Sequence, residues 1–419
     1  MKFVHAADLH IDSPLRGLDR YPGAPVEQIR GATRRALENL VSLCLTEEVD
    51  LLLLAGDIYD GDWKDYSTGL FFAAQLSRLR AARVEVVLLS GNHDAESHIT
   101  RHLELPENAR RLDPKSPETV VFERLGVAVH GQSFATKAVT DDLAAGYPDA
   151  RTGLFNIGML HTCLGGREGH DNYAPCSLNT LVGKRYDYWA LGHVHTREVL
   201  SEDPYIAFSG NLQGRHARET GEKGALLVTA DDGRIASVEH RPLDVVRWCA
   251  CEVDLSPAAS ADDIVDLTRE QLEQRLAEAD GRTLAARVIL CGATPAHAAL
   301  RADFERWTGQ IRAIANDLGG GLWIERVLSR TLAPLQVGAL EERDDAIGQL
   351  TRSLRALRDD DAGLSSLLRE FASLKNKLPA EAREGDDAIR LDDPTYLREA
   401  LDDVEHTLVS RLLGAGEAP

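Results

Sequence analysis

The run Val84-Glu85-Val86-Val87-Leu88-Leu89-Ser90 leads directly into Gly91-Asn92-His93-Asp94. Its aliphatic and β-branched side chains predict a strand that is covered on both faces. The polar tetrapeptide then lies at the carboxyl end of that strand, which is where open α/β sheets place their binding sites. Taken alone, Asn and His at a strand end also suit an ordinary turn with a capping side chain.

Four further apolar runs end in residues of the same chemical kind. The five polar strand ends, in chain order, are Asp8-Leu9-His10, Gly56-Asp57, Gly91-Asn92-His93-Asp94, His161 and Gly192-His193-Val194-His195. Between them, residues 29–46 and 66–82 have apolar side chains at helical spacing. This alternation of strand and helix is typical of parallel crossovers. The repetition favours a shared site over five unrelated turns.

Seven of these side chains are of types that bind metals: Asp8, His10, Asp57, Asn92, His161, His193 and His195. Three oxygen ligands and four imidazoles are too many for one tetrahedral ion, and they differ from the thiolate sets of structural zinc sites. The set suits two divalent ions that share a carboxylate. Its mixture of imidazole and oxygen favours manganese, iron or zinc over magnesium or calcium. Two ions roughly 3.5–4 Å apart activate water and hold phosphoryl oxygens during in-line displacement.

In this order, the five polar segments resemble the five signature blocks of calcineurin-like metallophosphoesterases, over residues 8–195. The resemblance implies a four-layer α/β/β/α sandwich. It implies one ion held by Asp8, His10, Asp57 and His195, and a second held by Asp57, Asn92, His161 and His193, with Asp57 as the bridge. It also implies that His93 contacts the phosphate and protonates the leaving oxygen, while Asp94 orients His93 by accepting its other N–H.

Residues 5–14, 56–60 and 210–215 narrow the resemblance to the DNA-repair exonuclease branch, of the SbcD and YhaO types. Nuclease relatives often carry a histidine shortly after the Gly-Asp block, where Asp60 stands in this chain. The resemblance implies a phosphodiesterase that acts on DNA ends, as an exonuclease with endonuclease action left open. It also implies an SMC-like coiled-coil ATPase as a partner, and manganese as the first choice of metal, with iron or zinc as alternatives.

The remainder of the 419 residues leaves room for two or three domains. Residues 247–330 predict a β-α-β-α-β unit that matches the capping domain of repair exonucleases. The last stretch carries helical apolar stripes, which suit either mutual packing or docking to a partner. We therefore expect a catalytic domain at 1–245, an α/β capping domain at 246–335 and a C-terminal helical region at 336–419.

Four basic side chains are candidates for substrate contacts: Arg167, His170, Arg215 and Arg218. The first two lie in a Gly-rich stretch that follows His161, where ordinary loop polarity is the alternative. The other two lie in a turn that follows the strand predicted at 205–208. An Arg fork can grip a phosphate bidentately, but ion pairs with Glu219 and Glu222 are equally compatible with the sequence.

Charge and composition limit the choice of function. The formal net charge of −20, without a Lys/Arg tract, argues against tight DNA binding by this chain alone. Bound divalent ions would add local positive charge. No apolar run approaches the roughly 20 residues that span a bilayer, and no signal-like segment begins the chain, so we expect a cytoplasmic protein without membrane contact. Six scattered cysteines without a Cys-x-x-Cys pair predict free thiols.

Two other functions stay open from the sequence. One is a small-molecule phosphodiesterase or phosphatase that acts on cyclic or sugar nucleotides. The other is a scaffold or regulatory subunit of an ATPase complex, which the acidic charge and the helical tail suggest. The sequence leaves open whether the protein forms a homodimer.

Overall fold

The structure is a computed structural model, and it divides into two compact units along the chain. It describes residues 1–13, 25–60, 66–96, 104–165, 173–334, 340, 342–375, 377 and 389–415. The first unit comprises Met1–Cys249, Ala279–Ala286 and Gly321–Glu325, and the second comprises Ala250–Glu278, Arg287–Gly320 and Arg326–Pro419.

The first unit contains two six-stranded sheets and the helices that cover them. Its strands are β1 (Lys2–Ala6), β2 (Leu51–Ala55), β3 (Glu85–Leu89), β4 (Ala109–Arg111), β5 (Glu118–Phe122), β6 (Val127–Gly131), β7 (Phe155–His161), β8 (Tyr188–Gly192), β9 (Glu198–Glu202), β10 (Tyr205–Phe208), β11 (Gly224–Asp231) and β12 (Arg234–Pro242). Its helices are α1 (Val26–Arg30), α2 (Ala32–Thr46), α3 (Ser67–Ala81), α4 (Asn92–Glu96) and α5 (Leu178–Gly183).

The strand that precedes the Gly-Asn-His-Asp segment lies inside a parallel array, as predicted. The first sheet has the order β12-β11-β1-β2-β3-β4, and its strands β1 to β4 are parallel to one another. The second sheet has the order β5-β6-β7-β8-β10-β9, in which β6, β7, β8 and β10 are parallel. Strands β5 and β6 form an antiparallel pair.

The core explains why these strands read as continuous apolar runs. Leu51 and Leu53 of β2 pack between the two sheets, whereas Leu52 and Leu54 pack against α2 and α3 on the other face. On the outer face of the second sheet, Trp189 packs with Leu181 of α5. Each sheet therefore has one face against the other sheet and one face under helices. The predicted four-layer α/β/β/α sandwich is confirmed.

A third sheet has the order β13-β14-β15. The elements in chain order are β13 (Val246–Asp254), α6 (Asp263–Glu278), β14 (Thr283–Ala293), α7 (His297–Ala302), α8 (Phe304–Asp317) and β15 (Leu322–Leu332). This order matches the prediction for 247–330, except that the second helix is divided in two. The division occurs at Asp303, whose side chain accepts a hydrogen bond from the Arg306 amide and so caps α8.

The C-terminal residues are helical, as predicted. They form α9 (Ala346–Asp359), α10 (Asp361–Lys375) and α11 (Pro394–Ala415). Leu364 of α10 and Leu397 of α11 belong to one small apolar cluster. The domain limits near 245 and 335 stay predictions. Among the described residues, every helix is too short or too polar to cross a bilayer.

Candidate metal centre

The carboxyl ends of five parallel strands, three from the first sheet and two from the second, meet at one place. The seven predicted ligand side chains follow or end β1 (Asp8 and His10), β2 (Asp57), β3 (Asn92), β7 (His161) and β8 (His193 and His195). All are buried except His195, whose side chain is 21% exposed. Burial of so many ionisable groups at one edge of two sheets marks a functional site rather than a set of turns.

Sharp backbone turns direct these side chains into the site. Asp8, His10, Asp57 and His193 all have positive φ, at 52°, 43°, 50° and 97°. Residues with side chains rarely adopt this conformation, and it persists where surrounding contacts enforce it. The Asp8 amide donates to the Gly56 carbonyl and the His10 amide donates to the Asp57 carbonyl, both at 3.0 Å. These two bonds fasten the loop after β1 to the loop after β2.

The ligand atoms form two neighbouring groups. In the first, atoms of Asp8, His10 and His195 all lie within 4.8 Å of one another, and in the second the same holds for Asp57, His161 and His193. The Oδ2 atom of Asp57 lies 3.4 Å from His161 Nε2 and 3.8 Å from His10 Nε2, so this carboxylate stands between the groups. Asn92 joins the second group, since its Oδ1 lies 3.0 Å from His161 Nε2.

The tautomer of His161 fits a bound cation. His161 Nδ1 lies 3.0 Å from the Ala55 carbonyl oxygen, which can only accept, so Nδ1 carries the proton. The lone pair of His161 Nε2 then faces two oxygens, those of Asn92 and Asp57. Converging lone pairs repel one another unless a metal ion or a proton lies between them. The donor set therefore fits two divalent ions, and it suits manganese, iron and zinc alike.

The charges of the site lead to the same conclusion. Burial and the neighbouring Arg215 guanidinium lower the pKa of His10 to about 3, which keeps this imidazole neutral and its lone pair free for a metal. Burial raises the pKa of Asp57, but the imidazoles of His161 and His10 lower it more, and the net pKa lies well below the usual range. Burial lowers the pKa of His161, yet the Asp57 and Asp8 carboxylates raise it to about 9. In the metal-free chain a proton thus takes the place of a cation, as metal–proton exchange requires.

His93 stands beside this centre, and its orienting partner differs from the prediction. Its side chain is 35% exposed, and its Nδ1 lies 3.0 Å from Asp60 Oδ1. The prediction that Asp94 orients His93 is wrong. The Asp94 carboxylate instead accepts three backbone N–H groups, from Ile58 at 3.1 Å, Tyr59 at 2.9 Å and Gly91 at 3.0 Å. Because its oxygens face back into the turn, Asp94 ties the loop after β2 to the loop after β3.

The four basic residues predicted to contact the substrate form two pairs along the chain. Arg167 and His170 lie outside the described residues. Arg215 pairs with Glu219, with Nη2 3.1 Å from Oε1, so the structure shows the ion-pair alternative. Arg218 is exposed, and its backbone amide donates to the His216 ring.

Neither Asp60 nor Glu219 had a predicted role in the site. The available signals were weak: Asp60 stands where nuclease relatives carry histidine, and Glu219 stands four residues after Arg215.

Comparisons with known proteins agree with the geometry. A family model described as calcineurin-like phosphoesterase matches residues 1–197, and one described as the middle domain of metallophosphoesterase YhaO matches residues 248–332. The chain is 35% identical over 299 residues to the uncharacterized metallophosphoesterase YhaO of Bacillus subtilis (strain 168). The aligned region makes up 70% of this chain and 72% of that protein. A dimetal phosphatase structure from Danio rerio is 12% identical, with a TM-score of 0.37 over 58% of this chain and 96% of that chain. The family match and the YhaO identity show that this chain belongs to the calcineurin-like metallophosphoesterases and is a metal-dependent phosphoesterase.

Proposed function

We propose that this phosphoesterase is a two-metal phosphodiesterase that acts on DNA ends, as an exonuclease. The observation that carries the two-metal part is the position of Asp57, whose Oδ2 lies within 3.8 Å of an imidazole nitrogen from each ligand group. Asp8, His10, Asp57 and His195 would hold one ion, and Asp57, Asn92, His161 and His193 would hold the other. When bound, the ions supply positive charge at the phosphate and a water of lowered pKa.

The chain's own contribution to the reaction would centre on His93. Asp60 accepts from Nδ1 and so leaves Nε2 to face the substrate. This hydrogen bond is the largest effect on the pKa of His93, and it raises the pKa above its ordinary value. A raised pKa favours the protonated form of the ring, and His93 would donate this proton from Nε2 to the departing oxygen.

Support for DNA as the substrate comes from the sequence resemblance to repair exonucleases and from the exposure of His93. Residues 5–14 and 210–215 resemble repair exonucleases, and the chain continues past the catalytic region into a β-α-β unit and a helical region. His93 is 35% exposed, as expected of a group that contacts a substrate. End-labelled linear DNA incubated with Mn²⁺ tests the proposal. We expect stepwise shortening by the parent protein and none by His93→Ala, whereas full-length DNA in both would contradict it.

A small-molecule phosphodiesterase is the second candidate, and the net charge of −20 favours it because DNA prefers basic surfaces. A panel of cyclic and sugar nucleotides, run with the same Mn²⁺ concentration, separates the two. If kcat/KM on a nucleotide exceeds kcat/KM on DNA ends by orders of magnitude, the protein is a small-molecule phosphodiesterase instead.

We also propose that the C-terminal helices bind the coiled coil of an SMC-like ATPase. Val404 and Leu408 lie four residues apart on α11 and are 42% and 37% exposed, so they offer an apolar strip of the kind that a helix can cover. Co-purification with such an ATPase, with and without residues 336–419, tests the contact. Retention after deletion would contradict it. Binding by a chain that hydrolyses nothing would instead favour the scaffold alternative.

A further inference from the structure

The geometry points to Arg215 as a positioning residue that links two carboxylates, each of which holds histidines of the metal centre. This inference rests on the ligand set of the proposed function. It adds Arg215 and Glu219 as residues that support the metal ligands. Arg215 lies in the turn after β10, at 14% side-chain exposure, with Nη2 3.1 Å from Glu219 Oε1 and Nη1 3.6 Å from Asp60 Oδ2.

Glu219 is the first of the two carboxylates, and it fixes the tautomer of His195. Its Oε1 lies 2.6 Å from His195 Nδ1. Arg215 Nη2 also approaches this nitrogen, at 3.3 Å, but the shorter contact is to a group that can only accept, so Nδ1 carries the proton. His195 Nε2 is left with its lone pair, 3.2 Å from His10 Nε2. A carboxylate behind a ligand histidine sets both the direction and the basicity of the ligand.

Glu219 is itself held in place from several sides. Its Oε2 accepts from Asn211 Nδ2 at 2.9 Å and from the Arg215 amide at 2.7 Å. Its Oε1 accepts from the His195 ring at 2.6 Å and from Arg215 Nη2 at 3.1 Å, so both carboxylate oxygens are engaged by donors. A buried anion of this kind needs a cationic partner, because an unpaired buried charge is strongly destabilising.

Asp60 is the second carboxylate, and it serves the other side of the centre. Its Oδ1 lies 3.0 Å from His93 Nδ1 and 3.7 Å from His10 Nδ1, and its Oδ2 accepts from Ser13 Oγ at 2.6 Å. One guanidinium thus contacts the two carboxylates that stand behind His195, His10 and His93. A planar fork can face two carboxylates at once, whereas a lysine ammonium is a single point charge on a flexible stem.

The consequence is a metal site whose affinity depends on Arg215. Without the guanidinium, Glu219 Oε1 loses its contact with Arg215 Nη2, and the carboxylate is held less firmly against His195. The network contacts His195 and His10 directly, so the ion held by Asp8, His10 and His195 should weaken first. Loss of an outer partner of a ligand histidine typically lowers metal affinity about 10–100-fold.

The test measures Mn²⁺ binding by titration calorimetry and metal content after equilibrium dialysis. We expect two Mn²⁺ per chain in the parent, and one site weakened about 10–100-fold in Arg215→Gln. Glu219→Gln keeps the shape of the carboxylate and should weaken the same site. Arg215→Lys keeps the charge but loses the fork, so it should recover only part of the affinity.

Arg241→Gln is the matched control, because Arg241 also places one guanidinium between two carboxylates, Glu47 at 2.9 Å and Glu239 at 3.3 Å. Glu47 also contacts Lys2 at the amino end of β1, whereas the proposed ligands follow the carboxyl ends of the strands, so the control should bind both ions like the parent. Two ions bound with unchanged affinity by Arg215→Gln and Glu219→Gln would overturn this inference alone. Fewer than two ions in the parent would overturn the proposed ligand set and this inference with it.

Discussion

The Oδ1 atom of Asp60 lies 3.0 Å from the Nδ1 atom of His93. Asp60 stands three residues after Asp57, and the His93 amide donates to Asp57 Oδ1 at 3.0 Å. The loop after β2 therefore places Asp57, the proposed bridging carboxylate, close to Asp60, the partner of the proposed acid, and both contact His93. In the proposed mechanism, one short segment of chain would thus organise both proton transfer and ion binding.

Replacement of His93 should remove the proton donor without removing the ions. For His93→Ala we expect turnover on an unactivated phosphodiester to fall about 10²–10⁴-fold, the usual contribution of general acid catalysis. Metal content should stay near that of the parent. A 4-nitrophenyl ester serves as the control substrate, because its leaving group departs without a proton and its loss should be smaller. Equal turnover in variant and parent would remove His93 from the mechanism.

Replacement of Asp60 should act through His93. Asp60→Asn keeps an acceptor near Nδ1 but removes the charge, and hydrogen bonds to charged groups contribute about 1.5–3 kcal/mol. We expect kcat on the unactivated ester to fall about 10–100-fold. The double variant with His93→Ala should lose little more than His93→Ala alone, since coupled residues are not additive. Losses that multiply would show that Asp60 acts independently of His93.

Asp94 should matter for stability rather than for proton transfer. In Asp94→Ala three backbone N–H groups, those of Ile58, Tyr59 and Gly91, lose their acceptor. Each buried donor left unsatisfied costs about 1–3 kcal/mol, so the free energy of unfolding should fall by at least about 3 kcal/mol. Thermal unfolding of the metal-free protein measures this. An unchanged Tm together with lost activity would restore a direct catalytic role for Asp94.

The sequence patterns predicted the strands because these depend on local composition. Leu51 to Leu54 are all apolar since successive side chains face two different cores, and such a run is visible without coordinates. The candidate ligands could be assigned to one site because they come after parallel strands, whose carboxyl ends share an edge of the sheet. Strands β4, β9 and β12 were not predicted, since Glu198–Glu202, for example, is half-exposed and carries a charge at each end.

The partner of His93 could not be read from the chain. Asp94 is its neighbour in sequence, and Asp60 is 33 positions away. Only the direction of the turn at Asn92–Glu96, which sends the Asp94 carboxylate back toward the amides after β2, decides between them. Arg215 presented the same difficulty, because an arginine near a phosphate site and an arginine that supports a ligand histidine have the same sequence signature.

Gly91 lies where the loops at the proposed metal centre come very close together, so it leaves no room for a side chain. A Cβ atom at this position would lie 2.3 Å from Asp57 Oδ1 and 2.8 Å from His161 Nε2, so both ligands would have to move. We expect Gly91→Ala to weaken Mn²⁺ binding strongly, measured by titration calorimetry. Gly183→Ala is the control, since a Cβ there meets nothing within 4 Å. Equal affinity in the two variants would mean that the ligands do not need their observed positions.

Asp57 should be required for both ions, because its carboxylate stands between the two groups. Metal analysis of Asp57→Ala should find neither ion retained after dialysis, while Asn92→Ala should keep the ion of the Asp8, His10 and His195 group. Two ions still bound to Asp57→Ala would refute the bridge.

The most direct test of the two-ion centre is anomalous scattering from crystals of the parent protein grown with Mn²⁺. The account predicts two peaks roughly 3.5–4 Å apart, with the Asp57 carboxylate between them. A single peak, or two peaks that lie away from the carboxyl ends of β1, β2, β3, β7 and β8, would contradict it.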